Sequence, residues 1–236
     1  MDNAIFITGT DTSVGKTVIT GLLGRFLAAE GMNVITQKWV QTGSSEDSPD
    51  ISTHIEFMGG DAGKNEEYRA LTTPYILEFP SSPHLAASLE KKRIDANRIE
   101  GAFYQLEKEF DFVLVEGSGG LMVPIDEENL IIDIAENIGL GVLIVAENRL
   151  GAINQTLLTV EALKRRNMPI VGIVFNRLTE LEEEVILKDN IEIIGKLTGE
   201  EVLGELGYNK DKDIDAFYKD FIPIGESILG KMRSTS

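Results

Sequence analysis

The segment Gly9-Thr-Asp-Thr-Ser-Val-Gly15-Lys16-Thr17 gathers the residue types that hold a polyphosphate. Small residues let backbone N–H groups approach phosphate oxygens, and the N-terminus of a following helix adds the favourable end of its dipole. Lys16 supplies a point charge toward the β- and γ-phosphates, and Thr17 offers its hydroxyl to Mg²⁺. The usual spacing (Gly, four residues, Gly-Lys-Ser/Thr) puts its first glycine where this chain has Thr10, so Gly9 stands one residue early. A chance Gly-Lys-Thr is the competing explanation. Against it, the apolar run Ala4–Thr8 precedes the segment and a helical pattern opens at Val18.

Other chemistry-bearing residues stand at the ends of apolar runs. Phe112–Glu116 ends on a carboxylate, an oxygen ligand of the kind a hard cation takes. Gly117-Ser118-Gly119-Gly120 then reads as a small-residue turn that lets backbone approach a ligand. A plain strand-end turn with an exposed glutamate is the alternative. Lys38 closes another run, in Lys38-Trp39-Val40-Gln41-Thr42-Gly43. Beside a phosphate loop its charge steadies a transferring phosphoryl group; otherwise it is a lysine snorkelling from a strand end. Thr42 either bonds a substrate or caps the turn. Asp47 and Asp50 follow in an acidic loop, where either can reach a metal or stay solvated. Leu150-Gly151-Ala152-Ile153-Asn154 opens a helix whose N-terminus suits a carboxylate, unless Gly151 and Asn154 only shape the helix start. His54 and His84 share no motif, and without a cysteine they read as structural or surface residues.

These residues need a scaffold, and the apolar runs supply one. Ala4–Thr8, Asn33–Lys38, Asp111–Glu116, Leu140–Ala146, Pro169–Asn176 and Glu201–Leu206 are rich in Val and Ile and barely alternate, as strands buried on both faces do. Helical patterns lie between them at Lys16–Glu30, Asp95–Glu109, Asn129–Asn137 and Ile153–Asn167. The alternation predicts an α/β fold, a doubly wound and mostly parallel sheet with helices on both faces, of the P-loop NTPase kind. Ligands of such sheets bind beyond the carboxyl ends of the strands, where the residues above fall. Gln41–Pro49 reads as a mobile polar loop over the site, and the acidic stretch 179–190 as a solvated helix face. No repeat or inter-domain linker divides residues 1–236, so one domain is expected.

Composition narrows the function classes. The chain has 236 residues, a formal net charge of −17 and no cysteine. The missing cysteines exclude disulfides, thiolate metal sites and a cysteine nucleophile. The negative charge argues against nucleic acid or an anionic membrane as partner. No apolar run reaches membrane-spanning length and no export signal is visible, so a cytoplasmic protein is expected.

Taken together, GTDTSVGKT, KWVQTG, EGSGGLMVP, RLGAINQTLLTVEAL and VFNR, in this order and spacing, resemble the dethiobiotin synthetase family over residues 4 to about 207. Pro80-Ser81-Ser82-Pro83-His84 is similar to a Ser-Pro-His stretch of the same family. The resemblance implies ATP as co-substrate, Mg²⁺, and closure of a cyclic urea from 7,8-diaminopelargonate and CO₂ by way of a carbamic–phosphoric anhydride. It implies nucleotide contacts at Ser13, Val14, Gly15, Lys16, Thr17 and Val18, at Glu116, Gly117, Ser118 and Gly119, and at Asp50, Asn176, Arg177 and Gly207. Lys38 matches the family's catalytic lysine, with Lys16 beside the phosphates; Thr17, Asp50 and Glu116 match the metal ligands. Thr42 matches a substrate contact. Leu150, Gly151, Ala152, Ile153 and Asn154 match the helix start that, in a homodimer, cradles the substrate carboxylate bound in the other subunit. Two departures stand out: Trp39 where the family commonly has proline, and Leu206-Gly207-Tyr208 where it commonly runs into Ile-Pro. A partitioning-type ATPase of the deviant phosphate-loop group is the rival reading, disfavoured because Asp11 stands where those proteins carry a lysine. A nucleotide switch without turnover is the other rival.

Overall fold

The computed structural model describes residues 3–60, 66–211 and 213–234. Six strands, β1 (Ala4–Gly9), β2 (Val34–Lys38), β5 (Phe112–Gly120), β6 (Gly141–Glu147), β7 (Ile170–Asn176) and β8 (Val202–Leu206), coincide with the six apolar runs. Two three-residue strands, β3 (Val40–Thr42) and β4 (Tyr75–Leu77), pair with each other in parallel. The helices are α1 (Lys16–Ala29), α2 (Pro49–Phe57), α3 (Arg69–Thr72), α4 (Pro83–Leu89), α5 (Ala96–Glu109), α6 (Ile131–Ile138), α7 (Ala152–Arg165), α8 (Glu184–Thr198) and α9 (Ile214–Ser234). The main sheet runs β2-β5-β1-β6-β7-β8 and every neighbouring pair in it is parallel. No helix among the described residues is long and apolar enough to cross a membrane.

The strand sequences explain this layering. Side chains alternate between faces along a strand, so in β1 Phe6 enters one apolar cluster while Ile5 and Ile7 enter the other. Both faces are covered, which is why the runs are apolar at successive positions. The first cluster takes Phe103 and Leu106 from α5; the second takes Ile19, Leu22, Leu23, Phe26 and Leu27 from α1, a spacing that lines one helix face. α9 closes the second cluster with Phe221, Ile224 and Ile228. It sits so close to α1 that a Cβ on Gly225 would fall 2.6 Å from the Phe26 ring. Arg25 of α1 pairs with Asp215 at 2.8 Å and lies 4.2 Å over the Tyr218 ring.

Several expectations need correction. The segment Gly117–Gly120 is not a turn: β5 continues through it, and Gly120 pairs with Gly9. Gln41–Pro49 is not all loop, since it begins in β3 and ends as the first residue of α2. The helix expected at Asn129 starts at Ile131, because Asp126 and Asn129 bond each other in the preceding turn. The acidic stretch runs into α8, whose Leu187, Asn190 and Ile194 are buried while Glu183 and Glu184 face solvent. Trp39 fills the bend between β2 and β3. Its ring stacks on Phe6 at 4.9 Å and its Nε1–H donates to Gln37 Oε1 at 3.0 Å, so packing directs the chain here without proline.

Candidate active site

A cavity of ≈ 370 Å³ opens at the carboxyl ends of the strands. Thr12, Ser13, Gly15, Lys16, Thr17 and Val18 form one wall; Lys38, Thr42 and Asp50 form another; Glu116, Ser118 and Gly119 complete it. The loop between β1 and α1 reaches this shape through left-handed backbone at Ser13 (φ 58°) and Gly15 (φ 94°). A side chain at Gly15 is barred twice over, by that φ and by Asn176 Nδ2, which would lie 1.9 Å from its Cβ. Asn176, at the end of β7, donates Nδ2–H to Val14 O at 3.0 Å and so supports the loop from below.

Charges gather at the cavity floor. Glu116 is 1% exposed, and its Oε1 accepts from Lys38 Nζ at 2.7 Å and from Thr17 Oγ1 at 3.2 Å. Lys38 Nζ also pairs with Asp50 Oδ2 at 2.6 Å and donates to Gly117 O at 3.1 Å. Burial disfavours the Lys38 ammonium, yet Glu116 and Asp50 together outweigh burial and raise its pKa above the ordinary lysine value. Burial likewise works against the Glu116 carboxylate, and Lys38 and His54 overcome it, holding its pKa well below the usual range. At Lys16, burial and next the neighbouring charge of Lys38 lower the pKa to about 8, and the nearby charges of Glu116, Asp50 and Asp11 compensate only in part. Lys16 Nζ donates to Asp11 O at 3.2 Å.

The two loop aspartates, equivalent in sequence, separate in space. Asp50 lies in the first turn of α2, which Ser48 caps by accepting from Ile51 N at 3.2 Å while donating to Gln41 Oε1 at 2.8 Å. Asp47 turns away and pairs with Arg69. His54, read from the sequence as structural or surface, is fully buried in the site with Nε2 2.7 Å from Glu116 Oε2. The signal was present: Asp50, His54 and Phe57 share one face at i, i+4 and i+7 behind a Ser-Pro helix start.

Leu150, Gly151, Ala152, Ile153 and Asn154 do not line this cavity. They form the turn before α7 and its first residues, with Leu150 and Asn154 exposed. A contact still links this helix to the loop, since Gln155 Nε2 donates to Asp11 Oδ2 at 3.0 Å. Arg177 and Gly207 line a separate cavity with Thr179, Glu180 and Tyr208.

Solved structures share this architecture. MinD from Pyrococcus horikoshii complexed with Mg-ADP superposes with a TM-score of 0.62 at 16% identity over 97% of this chain and 96% of its own. A ParA family ATPase from Chlorobium tepidum gives 0.56 at 15% identity, covering 100% and 97%. At such identities the likeness concerns the fold. A family model described as an AAA domain matches residues 3–214. Sequence relatives are more specific. ATP-dependent dethiobiotin synthetase BioD of Chlorobaculum tepidum is 45% identical over 179 residues, 76% of this chain and 74% of that protein. BioD 2 of Haemophilus influenzae is 39% identical over 80% of this chain and 99% of its own length. The Thermodesulfovibrio yellowstonii BioD is 35% identical over 94% and 97%. The chain belongs to the ATP-dependent dethiobiotin synthetase family. Within that family it is a phosphate-loop protein of parallel-sheet architecture, and ATP is its co-substrate.

Proposed function

We propose that this chain is a dethiobiotin synthetase that carboxylates 7,8-diaminopelargonate with CO₂ and closes the ureido ring using ATP. The observation that carries the reading is the convergence of Lys16, Thr17, Lys38, Thr42, Asp50 and Glu116 on one cavity in a member of this family. One amine of the substrate adds to CO₂ and loses a proton, giving a carbamate. A carbamate oxygen attacks the γ-phosphorus, the bond to the bridging oxygen breaks, and ADP leaves. The second amine then attacks the carbonyl of the anhydride, loses its proton and expels inorganic phosphate. No covalent enzyme intermediate is required, so catalysis rests on placement and charge.

Each residue has a part in that chemistry. Backbone N–H groups of residues 13–18 and the Lys16 ammonium hold the phosphates. Lys38, a cation fixed at the cavity floor by Glu116 and Asp50, faces the carbamate and the transferring phosphoryl group. Thr42 hydrogen-bonds the substrate. Gly117, Ser118 and Gly119 approach the nucleotide, and Asn176, Arg177 and Gly207 meet its base. Thr17, Asp50 and Glu116 are an all-oxygen donor set that already accommodates a cation, the Lys38 ammonium, between its carboxylates. That set suits Mg²⁺, a hard ion bound by one or two carboxylates together with phosphate oxygens. When bound, Mg²⁺ supplies charge neutralisation at the β- and γ-phosphates. Leu150–Asn154 receive the carboxylate of substrate held by a second copy of the chain, so the working form is a homodimer. The exposure of Leu150, Gly151 and Asn154 in one copy supports this, as does that of Leu158 on α7. We take residues 1–236 as one domain working in the cytoplasm on small molecules, with no nucleic acid or membrane partner.

The test is incubation with ATP, Mg²⁺, bicarbonate and the diamine. Phosphate release that requires the diamine is expected. Diamine-independent hydrolysis would instead indicate a partitioning-type ATPase, and nucleotide binding without release would indicate a switch.

A further inference from the structure

His54 is fully buried, and neither the sequence motifs nor the proposed chemistry uses it. Its Nε2 lies 2.7 Å from Glu116 Oε2, and its Nδ1 is buried without a hydrogen-bond partner. An ionised carboxylate only accepts, so the ring must donate through Nε2–H. The two Glu116 oxygens are thereby divided. Oε2 is taken from behind by His54, while Oε1 accepts from Lys38 and Thr17 on the cavity side. A leucine or phenylalanine would satisfy the packing without stranding a polar Nδ1, so filling space does not account for an imidazole here.

The backbone is arranged to make this contact possible. α2 is pressed onto α1 at Gly21, where a Cβ would lie 2.6 Å from Phe57 Cβ and 3.3 Å from His54 Cα. The same helix presents Asp50 one turn earlier. One rigid element therefore brings a carboxylate to the cavity and, four residues on, a donor to the far side of the second carboxylate.

We propose that His54 is a positioning residue that locks the rotamer of Glu116, so that Oε1 is held toward the divalent cation of the bound nucleotide. The proposal rests on the metal assignment made for Glu116 under the proposed function. It adds that α2 sets metal affinity through a group that never touches the metal. Outer-shell partners of this kind change metal affinity by about 10–100-fold when removed.

The test is Mn²⁺ titration of the ADP complex, with free Mn²⁺ read by electron paramagnetic resonance, for wild type, His54→Phe and His54→Gln. The phenyl ring keeps the volume and removes the donor; the glutamine amide places an N–H near the position of Nε2. Expected are a Mn²⁺ affinity at least about tenfold weaker in His54→Phe and recovery to near wild type in His54→Gln. ADP affinity in excess chelator should be unchanged in both. Equal Mn²⁺ affinity in wild type and His54→Phe overturns the proposal, as does a glutamine variant no better than the phenylalanine one. Should His54→Phe not fold, His54→Asn, whose amide is too short to reach Oε2, takes its place with the same two outcomes. Because the readout is metal binding, it stands apart from the synthetase assay: wild type that fails to release phosphate with the diamine refutes the function and leaves the His54 comparison intact.

Discussion

Replacing Lys38 with methionine keeps most of the side-chain volume and deletes one buried charge, and two quantities follow. Opposite unit charges about 4 Å apart interact by about 4 kcal/mol at an effective dielectric near 20. If that attraction is realised on the transferring phosphoryl group, its loss lowers turnover by about three decades. The second quantity is stability. Glu116 loses the ammonium 2.7 Å away and Asp50 the one 2.6 Å away. Breaking a buried pair costs about 3–5 kcal/mol; the Asp50 side chain is 26% exposed, so the lower end applies. At about 2–4 °C per kcal/mol in a chain of this size, the melting temperature falls by on the order of 10 °C. Saturating Mg²⁺ and ADP should restore much of it, because a divalent cation neutralises the same carboxylates. The assay is single-turnover phosphate release with diamine, alongside ATP affinity by calorimetry and thermal melts with and without Mg·ADP. Turnover within tenfold of wild type would remove Lys38 from the chemistry. A melting temperature that Mg·ADP fails to raise would refute the shared cation site.

Asn154→Ala should raise the KM for diamine by on the order of tenfold, as expected for one lost hydrogen bond to a charged group, leaving the KM for ATP in place. If both rise together, the carboxylate assignment is wrong. Asn176→Ala leaves the buried Val14 carbonyl without its 3.0 Å donor, so stability should fall by about 1–3 kcal/mol in a denaturant titration and ATP affinity should drop with it. Gly225→Ala drives a methyl group into the Phe26 ring and should destabilise by about 1–3 kcal/mol; an unchanged denaturation midpoint would show that the two helices separate freely.

Five of the long strands are legible because they are buried on both faces over most of their length, which leaves a continuous run in the sequence, whereas β8, at the sheet edge, buries only Leu203 and Leu206. The shorter elements left weaker traces. β3 and β4 have three residues each, too few for a period to emerge. α2 was hidden by its polar composition, although Ser48-Pro49-Asp50 is a helix start in cap, first position and acidic first turn. α9 carries Pro223 inside it, which reads against a helix. At the site, Lys16 and Thr17 follow the loop after β1, Lys38 ends β2 and Glu116 ends the apolar part of β5, positions that the apolar runs mark in the sequence. The residues by themselves leave Asp47 and Asp50 level, and only the family resemblance prefers Asp50; what separates them in space is Ser48 bonding Gln41 and Arg69 taking Asp47. His54 reads from the sequence as a structural or surface residue for a related reason. Its partner Glu116 is 62 residues away, and only folding makes the two neighbours.

The clamp between α9 and the far end of α1 has a mechanical consequence. α1 is a rod of 14 residues, about 21 Å long at 1.5 Å per residue, with Lys16 and Thr17 at one tip and Arg25 and Phe26 near the other. Pivoted at its distal end, such a rod swings its tip by about 1 Å for a tilt of only about 3°, and misplacement on that scale costs about a hundredfold in rate. The grip of Asp215, Tyr218 and Gly225 on Arg25 and Phe26 therefore aims the phosphate loop from a distance. Substitutions in this remote tail should register in the rate constant as well as in stability.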